Sequence, residues 1–446
     1  MRPSHAYVQG VREVARASWF YAEQPEHEST PGGCTTMGSL LTGRELRTIF
    51  DAMCPFDEDL KLKPEDERVT LLAANSNNWW QTRAFVMLSA VEQQSPIIVQ
   101  FSHNSNTKVG GRPGKIFTPE GLGYRGNAAL YGAKANIDWI AGEAEAFGAD
   151  LVAVSLDHFA VPEFDRDKDY KQRACPTGAS DKVAQAWSFI EDAGLQDQVE
   201  EMTPELACKY EAYLSSDEYQ AFVSDFMGTV DIMEPAWGMI DTEGIPAILD
   251  FAITRDVADA VRRGLGNTDM MLEAELGATG KSGDQVEYKK LSETELERFA
   301  ALTAAFVDYT GAEGLAYDIG MKHAAKAGET HPIDEEKLEA VQRAIIEQTG
   351  VYAPFAQHGG TGSAGVARGL IGKTNINTAF LVAGSQGRYN HFAADPEAVQ
   401  GGEKGICGTD VETNVYLEAV YNEALARIEP TGSYQSGPAC FEALGW

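Results

Sequence analysis

Short apolar runs that end in polar residues alternate with amphipathic stretches along most of this chain. Val69–Asn75, Pro96–Ser102 and Leu151–Asp157 are nearly continuous in apolar residues until their last positions. Met270–Glu275, Leu315–Gly320, Tyr352–Gln357 and Gly372–Ile376 repeat the pattern, and Trp237–Asp241 supplies an eighth run. Between them Trp80–Glu92, Ala128–Phe147, Thr254–Gly264, Glu293–Val307, Asp334–Thr349 and Thr413–Ile428 read as helices. Near-continuous apolar strands alternating with helices predict an α/β fold, a parallel sheet covered by helices. Eight such units close a (β/α)8 TIM barrel. An open doubly wound sheet is the competing architecture, but no GxGxxG follows the first strand, which weakens its dinucleotide-binding form.

Two regions stand outside the repeat. Residues 1–65 precede the first strand and read as an N-terminal extension with its own helix near Gly43–Met53. Residues 66–446 then make the barrel. Within it, residues from about 163 to 234 separate the third strand from the fourth, far more chain than one helix and two loops need. Asp181–Ala193, Pro204–Leu214 and Asp217–Phe226 are helix candidates there, so this stretch reads as a helical insertion after the third strand.

Composition narrows the function classes. With 446 residues and 43% of them hydrophobic, the chain can bury a large core. No apolar run approaches the ~20 residues of a membrane helix, and the N-terminus has no apolar signal region; the expected location is the cytoplasm. The net charge of −31 argues against a nucleic-acid partner, which needs a basic footprint. An anionic substrate would have to be held locally, against the global field. The six cysteines form no CxxC pair, and reduced thiols are the expectation.

The active site of such a barrel lies where the strands end. The polar residues there are Asn75, Ser102, Asp157, His158, Glu275, His323, His358, Asn375 and Asn377. Taken singly, each histidine reads as an isolated surface or core residue. Three of them at separate strand ends fit a zinc site with an open position. His358-Gly359-Gly360-Thr361-Gly362-Ser363 follows the seventh strand and Lys373-Thr374-Asn375-Ile376-Asn377-Thr378 ends the eighth. Loops in those two places commonly hold phosphate through backbone N–H groups and hydroxyls.

These segments together resemble the class II fructose-bisphosphate aldolases. Ser155-Leu156-Asp157-His158 resembles their Leu-Asp-His segment, and Leu272-Glu273-Ala274-Glu275-Leu276-Gly277 their Glu-x-Glu-Leu-Gly strand. Gly320–Gly328, with His323, resembles the segment of their second histidine ligand. Gln357–Ser363 and Lys373–Thr378 resemble their His-Gly-Gly-Ser-Gly loop and Lys-x-Asn-x-x-Thr strand, and Gln100-Phe101-Ser102 and Asn75 fall where the family has substrate contacts. The resemblance implies that His158, His323 and His358 hold Zn2+ or another divalent ion. It implies that Asp157 polarises or protonates an aldehyde oxygen, and that Asn375 and Ser102 steady a metal-stabilised enediolate and the ketone. Asn75 would contact substrate, and Gly359, Thr361, Asn377 and Thr378 would hold phosphate. Glu275 is either a group supporting the metal or an alternate ligand, and a carboxylate paired only for stability is an equal reading. The implied reaction is reversible cleavage of fructose 1,6-bisphosphate, or a related ketose phosphate, to dihydroxyacetone phosphate and an aldehyde. The implied partners are a phosphorylated sugar and further copies of the chain, in a homo-oligomer.

The sequence also departs from the family. The Glu-Glu pair expected in the loop after the Glu-Leu-Gly strand is missing from Gly277-Ala278-Thr279-Gly280-Lys281-Ser282-Gly283-Asp284. Asp284 or Glu287 could substitute. The stretch between His358 and Lys373 is short as well. A metal-dependent hydrolase, and a metal-binding aldolase-like barrel with altered substrate or no catalysis, therefore remain as alternatives.

Overall fold

The structure is a computed structural model that describes residues 39–110, 127–170, 182–276, 290–316, 333–362, 365–408 and 410–446. Eight parallel strands close the (β/α)8 barrel: β2 (Leu71–Asn75), β3 (Ile97–Ser102), β4 (Val152–Ala160), β5 (Trp237–Asp241), β6 (Met271–Glu275), β7 (Gly314–Ala316), β8 (Phe355–Gln357) and β9 (Lys373–Ile376). They pair in chain order, and β9 returns to β2 with Leu72 opposite Thr374. A short β1 (Leu40–Leu41) lies parallel to the first residues of β4, where β5 has not yet begun to pair.

Side-chain parity explains the barrel's two halves. Successive strand residues face opposite sides. On the outward parity Leu72, Ala74, Val99, Val154, Leu156, Leu272 and Ala274 are apolar and buried under the helices. On the inward parity the lower positions are apolar: Leu71, Ala73, Ile98, Leu151, Ala153, Trp237 and Met271 form one buried cluster. The next inward positions, Asn75, Gln100, Ser155, Asp157, Glu273 and Asn375, are polar and equally buried.

The lower half is plugged from below. The helix Gly43–Ala52 is capped at Thr42 by a reciprocal bond with Glu45, a capping box. Its buried face, Leu46, Ile49 and Phe50, joins the lower cluster, and Phe50 meets the Trp237 ring at 5.4 Å. Gly314 makes the room: a Cβ there would stand 2.4 Å from that indole. The terminal helix Gly437–Leu444 packs on Gly43–Ala52 from outside. Residues 40–52, expected in an extension, thus close the barrel's floor.

Several elements depart from their expected bounds. The helix read as Thr254–Gly264 runs from Ala247 to Asp259 and widens into a π-helical turn over Ala260–Gly264. Pro246 precedes it, and proline is at home at a helix start. In the region read as an insertion the helices are Lys182–Asp192, Pro204–Leu214 and Asp217–Met233. The last packs on Ala128–Phe147, where a crossover between β4 and β5 belongs, and Lys182–Asp192 packs on Ala247–Asp259. Cys208, on Pro204–Leu214, is disulfide-bonded, which corrects the expectation of reduced thiols at that position. Cys54, Cys407 and Cys440 are free. No helix among the described residues is long and apolar enough to cross a membrane.

Candidate active site

The site is made by an irregularity in β4. That strand does not stop at Asp157; it runs to Ala160, and its register against β5 shifts between Leu156 and Phe159. His158 adopts φ +42, a conformation in which a residue other than glycine costs about 1–3 kcal/mol. Simple alternation would send Asp157 and His158 to opposite faces. The bulge re-aims His158, and Phe159 resumes the outward parity among Phe222 and Phe226. His158 and His358, just past β8, come to rest with ring centroids 4.5 Å apart. One ligand atom from each of Asp157, His158 and His358 falls within a span of 4.8 Å.

Each histidine has its own carboxylate. His158 Nδ1 lies 3.0 Å from Asp241 Oδ2 at the end of β5. His358 Nε2 lies 3.3 Å from Glu273 Oε1 on β6. Such partners fix ring orientation and leave the opposite nitrogen directed at a cation. Burial opposes protonation of His158, but Asp157, Asp241 and Glu273 outweigh it and push its pKa up to about 10. Burial likewise opposes charge on Asp241, yet the bond to His158 holds its carboxyl well below the usual range.

Glu273 and Asp157 are both almost wholly buried. Glu273 Oε2 is 2.6 Å from Lys373 Nζ and accepts the Trp237 indole N–H. Burial works against its charge, but Lys373 and His358 prevail and hold its pKa down to about 2. Asp157 is held by neutral amides from three strands. Asn75 Nδ2 donates at 2.6 Å, Gln100 Nε2 at 3.1 Å and Asn375 Nδ2 at 3.3 Å.

The other expected residues divide. Ser102 lies opposite Asp157 in register, but its hydroxyl caps the short helix His103–Val109 and bonds Ser105. Glu275 is buried on the same inward parity as Glu273, outside the cluster of Asp157 and the two histidines. Gly359 has φ +71, and a Cβ on Gly360 would meet Thr374 Oγ1 at 2.6 Å, so glycine lets this loop lie against β9. Thr361 Oγ1 accepts from Ala379 N at 3.3 Å. Asn377 Oδ1 accepts from Asn77 Nδ2 at 2.8 Å, and Thr378 begins the helix Thr378–Ala394 at the surface. His323 and the 277–287 loop lie outside the described residues. Sequence reasoning gave no role to Asp241, Glu273 or Lys373; their one signal was an ionisable residue at an inward position near a strand end.

The donor set suits a divalent cation. Among the described residues Asp157, Asp241, Glu273 and Glu275 stand on the strands' upper halves, and Lys373 is the buried ammonium paired with Glu273 among them. Two imidazoles within one coordination span supply ligands that zinc accepts, with the Asp157 carboxylate standing beside them.

A profile of the family described as fructose-bisphosphate aldolase class-II matches residues 238–428. That span holds Asp241, Glu273, His358 and both glycine- and asparagine-bearing strand ends. Over those residues the chain is similar to the class II fructose-bisphosphate aldolase family. Class II aldolases are metal-dependent lyases, which agrees with the donor set. A crystal structure of a fructose-bisphosphate aldolase from Campylobacter jejuni shares the fold of this chain, with a TM-score of 0.54 and 16% identity over 91% of this chain and 99% of that one. No curated protein matches it.

Proposed function

We propose that this aldolase cleaves fructose 1,6-bisphosphate, or a related ketose phosphate, reversibly to dihydroxyacetone phosphate and an aldehyde, with Zn2+ as its ion. The observation that carries the reading is the pairing of the two site histidines with their own inner-wall carboxylates, His158 with Asp241 and His358 with Glu273. His158, His358 and, from the family resemblance, His323 would hold the ion, which when bound supplies Lewis-acid charge against the carbanion developing beside the ketone. Asp157 exchanges a proton with the oxygen at the cleaved bond; its amide clamp fixes where that proton sits. Asn375 and Asn75 join substrate to the same clamp. The Gly359–Thr361 loop and the N-terminus of Thr378–Ala394 offer backbone N–H groups to phosphate. The chain carries 67 acidic residues, yet none from Gln348 to Ala394, so the phosphate side lacks local repulsion from its own stretch of chain. The proton on carbon is assigned to Asp284 or Glu287.

The test is cleavage of fructose 1,6-bisphosphate with and without a chelator, beside metal analysis of the purified protein. Cleavage lost on chelation and restored by Zn2+ is expected. Cleavage indifferent to the chelator overturns the metal's role. Bound metal without cleavage of any ketose phosphate identifies a metal-binding barrel that has lost the reaction, as the missing Glu-Glu pair would allow.

A further inference from the structure

The strain at His158, φ +42, has to be offset by whatever holds the residues on either side of it. Before it, Asp157 is clamped by three amides. After it comes Phe159, buried on the outer side of the sheet. Among the described residues three rings meet Phe159 edge-on: His103 at 4.6 Å, Phe226 at 5.3 Å and Phe222 at 5.7 Å. Edge-to-face pairs at such distances add to what burial alone contributes. His103 Nδ1 is buried with no hydrogen-bond partner among the described residues, so packing, not a bond at that nitrogen, keeps its ring against Phe159. Phe222 and Phe226 stand on the helix Asp217–Met233, which is fastened near both ends. The Tyr219 hydroxyl donates to Asp256 Oδ2 at 2.9 Å, and Asn106 Nδ2 donates to Met233 Sδ at 3.6 Å.

We infer that Phe159 is a positioning residue for the metal centre, and that the helix Asp217–Met233 acts on that centre through it. A strand changes register only if its side chains can leave their sockets. With Phe159 seated among these rings, the end of β4 is held one step out of simple alternation. Phe159 then pairs with Ile240 and Ala160 with Asp241, and Val161 N donates to Asp241 O at 2.9 Å. Asp241 is also the residue whose carboxylate meets His158 Nδ1, so the same re-registered end sets the histidine and its partner side by side. Without the socket, residues 157–160 can return to alternation, which sends His158 to the outer face and away from Asp241. Packing outside the barrel is thereby converted into the direction of a side chain inside it. The chain between β4 and β5 gains a role beyond covering the sheet. The inference rests on the metal-binding reading above for one of its two readouts.

The experiment compares Phe159→Ala and Phe159→Leu with Phe306→Ala, a fully buried ring that meets Phe251 at 5.0 Å between two outer helices. Zn2+ affinity of the full chain is read by competition with a chromogenic chelator. The contact of His158 with Asp241 is read from its slowly exchanging imidazole N–H proton in metal-stripped, 15N-histidine-labelled protein, with circular dichroism to verify folding. Phe159→Ala is expected to lose about 10–100-fold in Zn2+ affinity, the effect of removing a group that orients a ligand, and to lose the imidazole signal. Phe159→Leu, which keeps an apolar side chain in the socket, is expected to retain the signal with a smaller loss of affinity. Phe306→Ala is expected to lose stability and to change neither readout. Either readout unchanged in Phe159→Ala overturns the inference. An equal loss of affinity in Phe306→Ala overturns it too, because general destabilisation is then the cause. A wild type that binds no Zn2+ overturns the metal reading alone, and the imidazole signal then decides this inference. If Phe159→Ala does not fold, Phe159→Leu decides, and wild-type affinity in that variant overturns the role of Phe159.

Discussion

Two carboxylates at similar depth in this barrel, Asp157 and Glu273, are held by opposite chemistries. Glu273 is locked as an anion by Lys373, the Trp237 indole and His358. Asp157 rests on three neutral amides. A carboxylate tied to a buried ammonium cannot change its charge without stranding its partner. Three amides fix the position of the Asp157 oxygens without neutralising them, beside His158 and His358. The comparison assigns Glu273 to holding the site's shape and Asp157 to its chemistry.

The largest effect expected from this contrast is on turnover. Asp157→Ala should lower kcat by ~10²–10⁴-fold, the range for a positioned acid or base, with metal content unchanged. Steady-state kinetics beside metal analysis checks it; full activity in that variant would remove Asp157 from the mechanism. Glu273→Gln should act first on stability, costing about 3–5 kcal/mol because Lys373 is left buried without its partner. Replacing both, Glu273→Leu with Lys373→Met, should recover most of that loss in denaturant titrations, and failure to recover would mean that the pair is not the cause.

Acid should find the same carboxylate. The folded pKa of Glu273, about 2, lies below its ordinary 4.5, so its contribution is fully present above pH 4.5 and disappears as the pH falls through 2. In chelator, the acid limb of stability should therefore be shallower in the double replacement than in wild type. Asp241→Asn tests the other histidine. It should weaken metal binding by about 10–100-fold, read by competition with a chromogenic chelator, and should also lower the stability of the metal-free protein, because His158 loses its carboxylate partner. The smallest effect belongs to Gln100→Leu, which removes one of three donors to Asp157. A hydrogen bond to a charged group is worth about 1.5–3 kcal/mol, and with two donors remaining we expect the lower end, about a tenfold loss in kcat. A loss as large as that of Asp157→Ala would mean that Gln100 itself meets the substrate.

The hydrophobic pattern carried the architecture because strand and helix periods are local properties: the runs at 69–75, 96–102 and 270–275 needed no tertiary knowledge to be read as strands of a parallel sheet covered by helices. It also marked Asp157, His158 and His358 as chemistry-bearing, since polar residues closing such runs stand at the barrel's reactive end. What it could not supply was direction and partnership. That Asp157 and His158 both reach the interior depends on a bulge at φ +42, which alternation along β4 forbids and only the register against β5 decides. That Glu273 serves His358 while Glu275, two residues on, stands outside the cluster depends on the height at which β8 ends. That residues 40–52 form the barrel's floor rather than a separate extension depends on Phe50 meeting Trp237 across almost two hundred positions of sequence. The sequence by itself determined which side chains are apolar enough to be buried and which are able to carry a proton or bind a cation. Which of them meet was decided by the closing of the sheet, because a contact between strands is fixed by register and curvature, and neither is written in any one strand.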